Sequence, residues 1–337
     1  MWTRRQILAA AGLTPLAQVA SEQQFRVTPT HTTMHAAGAK AYDEDTIAKA
    51  LAQPVTTLKG FDPARFVTSF DYGQVTRQPN GRVLREYRVI AEDRELEVAP
   101  GIFFPAWTYN GTVPGPTLRC TEGDRLRIHF VNRSQSEHTM HFHGIHAADM
   151  DGVAELVKPG KEYVYEFDAE PYGLQLYHCH VPPVDLHMNR GLYGAFIIDP
   201  PKPRPPAKEL VIVSHGWDLD FDGRNELYAL NGAANFYRDN PIPLTPGELV
   251  RMYFVNVLEF EPVNSLHLHA NFFTALRRTA TGEEEEHTDI ITIGQADRRI
   301  LEFTYRMNGT FMFHAHQNRF AERGGMGHLQ VRTEQQT

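Results

Sequence analysis

The chain has 337 residues, 22% of them charged, and a formal net charge of -8. That length accommodates two ordinary domains with separate cores, and the acidic balance, without a single basic run, argues against a nucleic-acid partner. Seventeen histidines stand against only two cysteines, Cys120 and Cys179, so the chain does not read as a disulfide scaffold.

At the N-terminus, Arg4-Arg5 precedes the apolar stretch Ala9 to Ala20. Paired arginines before a short apolar run read as a twin-arginine export signal over 1–20, too short to span a bilayer. The expectation is a periplasmic or secreted protein, exported folded, with no membrane span. Residues 21–81 read as an irregular arm laid over the first domain, with one helical patch from Asp43 to Ala52 and with His31 and His35 facing solvent.

From Arg82 the pattern changes to short strands between Gly and Pro turns, the signature of an all-β sandwich. In Arg125-Leu-Arg-Ile-His-Phe-Val131, period 2 turns Leu126, Ile128 and Phe130 inward and His129 outward. Cys120, on another apolar strand, reads as a small core residue. The stiff stretch Asp199 to Pro206 marks a boundary, which gives a first domain at 82–200, a linker at 201–208 and a second domain at 209–337. The run Glu283 to Glu286 reads as a solvated hairpin tip.

The second domain repeats the first. Tyr109-Asn110-Gly111 returns as Leu230-Asn231-Gly232, and Thr121-Glu-Gly-Asp124 as Thr245-Pro-Gly-Glu248. His138-Thr-Met-His141-Phe-His143 returns as Asn264-Ser-Leu-His267-Leu-His269, and His178-Cys179-His180 as His314-Ala315-His316. Echoes in one order mark an internal duplication. Each half therefore carries two His-x-His pairs, and in extended chain both rings of a pair share a face, as a common metal cluster requires. The Cys179 sulfur projects to the opposite face from His178 and His180. His138, Cys179 and His187 offer two imidazoles and a thiolate, with Leu192 where an axial ligand could sit, the blue-copper pattern. Asn264 and Ala315 deny the second half such a site. His146, His215, His287 and His328 read as surface or core residues, with His146 close enough to the cluster strand for an outer role.

His141-Phe-His-Gly144, His178-Cys-His180, Gly191-Leu192 after His187, and Asn110-Gly-Thr-Val-Pro-Gly-Pro116 resemble the multicopper oxidases, in their two-domain, laccase-like branch. The resemblance covers about Arg82 to Arg332. It implies two cupredoxin-like Greek-key β-sandwich domains and four copper ions per chain. His138, Cys179 and His187 would bind the type 1 copper, which Leu192 leaves without an axial ligand. His141 and His267 would bind the type 2 copper. His143, His178, His180, His269, His314 and His316 would bind the type 3 pair. Asp151 resembles the family's acidic proton relay. The implied reaction takes single electrons from a small donor such as a phenol and reduces dioxygen to water, in a homotrimer with clusters at subunit interfaces. Two alternatives are a copper nitrite reductase and a non-catalytic copper-binding protein. The nitrite reductase pattern keeps one imidazole beside the cysteine and an aspartate where this chain has His141.

Overall fold

A computed structural model describes residues 40–333; the export-signal stretch, His31 and His35 lie outside the described residues. Each half is built of two β-sheets. In the first half, the long strand Val83–Ala99 pairs with Gln74–Arg77, Ile102–Tyr109 and Arg125–Asn132, the last carrying Glu162–Asp168 at the edge. The second sheet runs Leu118–Thr121, Tyr193–Asp199, Gly173–His178 and His141–Phe142. The expected alternation holds: Leu126, Ile128 and Phe130 are buried between the sheets. On the outer face Arg125 and Arg127 pair with Glu166, an arrangement of opposite charges on neighbouring strands. Cys120 is a buried free thiol in that core.

The second half repeats the plan. One sheet orders Leu227–Leu230, Lys208–Trp217, Val250–Asn256, Arg298–Phe303, Phe273–Thr279 and Gly282–Thr288; the other orders Ile242–Leu244, Met326–Val331, Gly309–His314, Val263–Leu268 and Ile290–Gly294. The backbone registers superimpose the duplication. Val83–Ala99 pairs in parallel with Arg125–Asn132, setting Ala91 beside Asn132, and Lys208–Trp217 pairs in parallel with Val250–Asn256, setting Ser214 beside Asn256.

The halves meet through a continuous apolar cluster that includes Phe104, Leu176 and Tyr193 from the first and Val213, Trp217 and Tyr253 from the second. Beside it, Arg119 donates to both Asp199 and Glu209 at 2.7 to 3.0 Å, bridging the end of one domain and the start of the next.

Three expectations need correction. The arm is not laid over the first domain alone. Helix Glu44–Ala52, capped by the Asp43 carboxylate, buries Ile47 and Ala50 in the interdomain cluster, while Val55 and Val67 join the core of the second half. Backbone bonds such as Val211 N–H to the Val67 carbonyl hold it there. Sheet structure also begins before Arg82, because Gln74–Arg77 already pairs with Val83 to Glu86. Third, Glu283 to Glu286 is not a hairpin tip but an edge strand, paired with Ala275 to Arg278. Charge suits that place, since an edge strand must resist pairing with another chain.

Candidate metal centres

Three side chains from distant parts of the first half converge at the end of the sandwich. His138 lies in the loop after Arg125–Asn132, Cys179 directly follows strand Gly173–His178, and His187 lies on the short helix Val184–Asn189. The His187 Nδ1 is 3.2 Å from the Cys179 sulfur and 3.2 Å from the His138 Nδ1. All three residues are buried, the most open being His187 at 2%. Thr139 N–H donates to the sulfur at 3.4 Å, and Cys179 N–H is fixed by the Leu192 carbonyl. Leu192 shares the buried cluster of Cys179, whereas the nearby thioether of Met188 packs into the interdomain cluster. Gly191 closes this corner. At φ +111° a Cβ there would meet Val113 Cγ2 at 2.3 Å, so only glycine permits the approach.

Burial pushes the Cys179 thiol up to about 11 and holds His138 well below the usual histidine range. The His138 imidazole is therefore neutral, and a cation between the three atoms would turn the sulfur into a thiolate. Two imidazoles and one thiolate at these separations suit copper. The Trp107 ring packs against both histidine rings, with centroids 4.9 Å from His138 and 4.6 Å from His187, and the Arg190 guanidinium lies 4.1 Å over it.

On the other face of the Cys179 strand, His141, His143, His178 and His180 gather. His141 Nδ1–H donates to the Asp151 carbonyl at 2.8 Å, and His178 Nδ1–H to the Cys179 carbonyl at 2.9 Å. Those bonds leave each Nε2 as a lone pair, and the Nε2 atoms of His178 and His143 are 3.3 Å apart. The second half repeats the device. His267 Nδ1–H donates to the Asp289 carbonyl at 2.8 Å, His314 Nδ1–H to the Ala315 carbonyl at 2.7 Å, and the Nε2 atoms of His269 and His314 are 2.9 Å apart. The His316 ring lies 5.4 Å from that of His267. Burial lowers His143 to about 3 and His178 to about 4, and lowers His269 and His314 as well. Neutral rings aimed at one point are ready ligands; protonated ones would repel a cation and each other. Among the described residues, the ring contacts and hydrogen bonds found for these eight imidazoles stay within one half.

Asp151 Oδ1 stands 3.1 Å from His141 Nδ1 and 3.7 Å from His146 Nε2. Gly152 makes this turn possible, since a Cβ there would strike the Met140 carbonyl oxygen at 2.1 Å. Residues that the sequence reading passed over are Trp107 and Arg190 beside the thiolate site and Asp289, the counterpart of Asp151. The duplication could have signalled Asp289, but the long hairpin between His267 and Asp289 hides the correspondence. His215 is buried beside Tyr193 and Trp217, away from either cluster, and His287 and His328 join no cluster.

Two family models, both for multicopper oxidase, match residues 94–203 and 205–335. A solved multicopper oxidase structure is 46% identical, with a TM-score of 0.79 over 81% of this chain and 98% of the other. The copper-containing nitrite reductase of Neisseria gonorrhoeae is 27% identical over 260 residues, 71% of this chain and 66% of that protein's length. Copper resistance protein A of Escherichia coli is 37% identical over 142 residues, 40% of this chain and 23% of that protein.

Proposed function

The chain belongs to the multicopper oxidase family of copper-binding oxidoreductases, and from that premise we propose a laccase-like oxidase that draws single electrons from a small donor and reduces dioxygen to water. His138, Cys179 and His187 hold the type 1 copper. His141 and His267 hold the type 2 copper, and His143, His178, His180, His269, His314 and His316 the type 3 pair, four ions per chain. Copper supplies one-electron chemistry at these places. The chain's own part is to space and orient the two centres. Cys179 is covalently joined to His178 and His180, so the thiolate site and the imidazole cluster lie on opposite faces of one strand. Asp151, 37% exposed at its side chain and 3.1 Å from His141, can hold a proton between the cluster and solvent.

The observation that carries this reading is the matched pair of four-imidazole sets, each with one pair of Nε2 atoms facing each other and neither set touching the other within the chain. A complete cluster then needs a second copy, which supports a ring-shaped homotrimer in which the first half of one subunit meets the second half of the next. Among the described residues no helix is long and apolar enough to cross a membrane. Arg4-Arg5 and the apolar run after it support export to the periplasm or beyond.

Nitrite reduction is the second reading, favoured by the identity to nitrite reductases. The two separate in one experiment: copper content per chain, oxygen uptake on a phenolic donor, and nitrite consumption under the same reductant. The oxidase reading expects four coppers per chain and oxygen uptake without nitrite loss. Nitrite loss without oxygen uptake would overturn it.

A further inference from the structure

The thiolate site does not end at its buried ligands. Its outward extension is a hydrogen-bonded chain that reaches the surface. His138 Nε2 lies 2.9 Å from the Ser134 hydroxyl, which donates to Asp93 Oδ1 at 2.8 Å. Ser134 is 2% exposed, whereas Asp93 is exposed on the strand Val83–Ala99. The other carboxylate oxygen of Asp93 accepts Gln135 N–H at 3.1 Å, and Ser134 N–H donates to the Asn132 side-chain oxygen at 2.9 Å, so both groups are held in place.

The direction of this chain is fixed by counting donors. The Ser134 oxygen has one hydrogen and two lone pairs. Asp93 is a carboxylate and accepts only, so the hydroxyl hydrogen goes to it. One lone pair already takes Ser136 N–H at 3.2 Å. His138 Nε2 must then be the donor, N–H toward Ser134, and its Nδ1 is left as a bare lone pair. That Nδ1 is the atom that faces His187 Nδ1 and the Cys179 sulfur. The surface carboxylate thus selects the tautomer that can bind metal before any metal arrives.

The duplication supplies an internal comparison. Asp93 stands opposite Trp107 in its sheet, and Gly216 stands opposite Tyr228 in the other half. Counting back from Tyr109 and Leu230 makes Trp107 and Tyr228 counterparts, and therefore Asp93 and Gly216. Ser134, two residues beyond Asn132, corresponds to Leu258, two beyond Asn256. The half without a thiolate has lost all three members of the chain: carboxylate, hydroxyl and imidazole.

We propose that Asp93, acting through Ser134, is a positioning residue for the type 1 centre: it fixes His138 in the Nε2–H tautomer and raises the electron density of the ligating ring. Carboxylates that accept from a ligand's far nitrogen do both; here a serine carries the effect across a layer of protein. The inference rests on the assignment of His138, Cys179 and His187 as a copper site. It is indifferent to whether dioxygen or nitrite is the final acceptor.

Three variants separate its parts, read on the copper-loaded full chain by chelator competition and by potentiometric titration of the blue absorption. Asp93→Asn keeps an acceptor for the Ser134 hydroxyl and removes the charge. It should bind copper as the parent does, while its one-electron equilibrium shifts toward the reduced form by up to about tenfold, ~59 mV. Asp93→Ala frees the Ser134 hydroxyl to donate to His138 Nε2, which favours the wrong tautomer, and Ser134→Ala removes the acceptor altogether. Both should lose roughly 10-fold to 100-fold in type 1 copper affinity. Parent-like affinity in both alanine variants, together with an unshifted potential in Asp93→Asn, would overturn the proposal. A parent protein that binds copper without turning blue would overturn the site assignment beneath it, a failure distinguishable from the first.

Discussion

In the first half Trp107 lies against the rings of His138 and His187, with Cys179 beneath them; in the second, Tyr228 occupies the place of Trp107 and stacks on Phe320, centroids 4.2 Å apart. Ala315 and Leu258, the counterparts of Cys179 and Ser134, complete a small apolar cluster with that pair. Asn264, the counterpart of His138, is turned to Ser214 and Asn256 at 2.9 Å each. The central parallel strand pairing and the cluster histidines recur in both halves. What differs is whether this corner holds converging ligands or a packed aromatic pair. A duplicated scaffold can therefore lose one site cleanly, because the imidazoles of the other site hang on the opposite face of the same strand.

The largest effects should come from removing the groups that differ or match. Cys179→Ser should leave a colourless protein whose donor-driven turnover falls to background while the cluster histidines still bind copper; a blue Cys179→Ser protein would break the comparison outright. His314→Ala should abolish oxygen uptake and leave the blue absorption intact, since it lies in the half without a thiolate. Loss of colour in that variant, seen by optical titration with copper, would mean the halves are not separable.

Restoring ligands sharpens the comparison from the other side. The double substitution Asn264→His and Ala315→Cys should remain without a second blue site, because Phe320 and Tyr228 fill the space where a third ligand would stand. A second blue copper per chain would show that the aromatic pair is no obstacle. A smaller effect is expected at the seam. Arg119, 9% exposed at its side chain, is shared by Asp199 and Glu209. Arg119→Ala leaves two half-buried carboxylates short of a partner and should cost ~1–3 kcal/mol in denaturant unfolding, with the blue absorption unchanged in the folded protein.

The smallest effect is a pH dependence confined to the interdomain core. His215 is fully buried, without a well-formed hydrogen bond at either ring nitrogen, and burial lowers it to about 3 from 6.5. The unfolded chain takes up this proton near 6.5 and the folded one only near 3, so the unfolded state binds more protons in between. Stability should be lost as pH falls through that window and stay level above it. His215→Phe should flatten part of that slope in unfolding curves of the metal-free protein, and an unchanged slope would contradict the assignment.

Much of this was legible in the sequence because it depends on short-range spacing. Period 2 alone places His141 with His143 and sets Cys179 against its neighbours, and the echoes align the halves. The structure brings together His138, Cys179 and His187, and draws the eight histidines of the His-x-His pairs into two groups. What spacing could not show are partners that meet only through the fold. Asp93 and Ser134 are 41 positions apart, and Arg119 lies 80 from Asp199. The arm's reach onto the second half was missed for the same reason: the apolar residues Val55 and Val67 say that it packs, not on which half.

The central claim is that neither half holds a complete cluster and that two chains share one. The direct test mixes two inactive proteins, one carrying His141→Ala and the other His314→Ala, dissociates and reassembles them, and measures oxygen uptake with native mass. The account predicts mixed trimers with partial activity, because some interfaces then receive an intact first half from one chain and an intact second half from the other. Mixed trimers that stay inactive, or an active monomer of the parent protein, would contradict it.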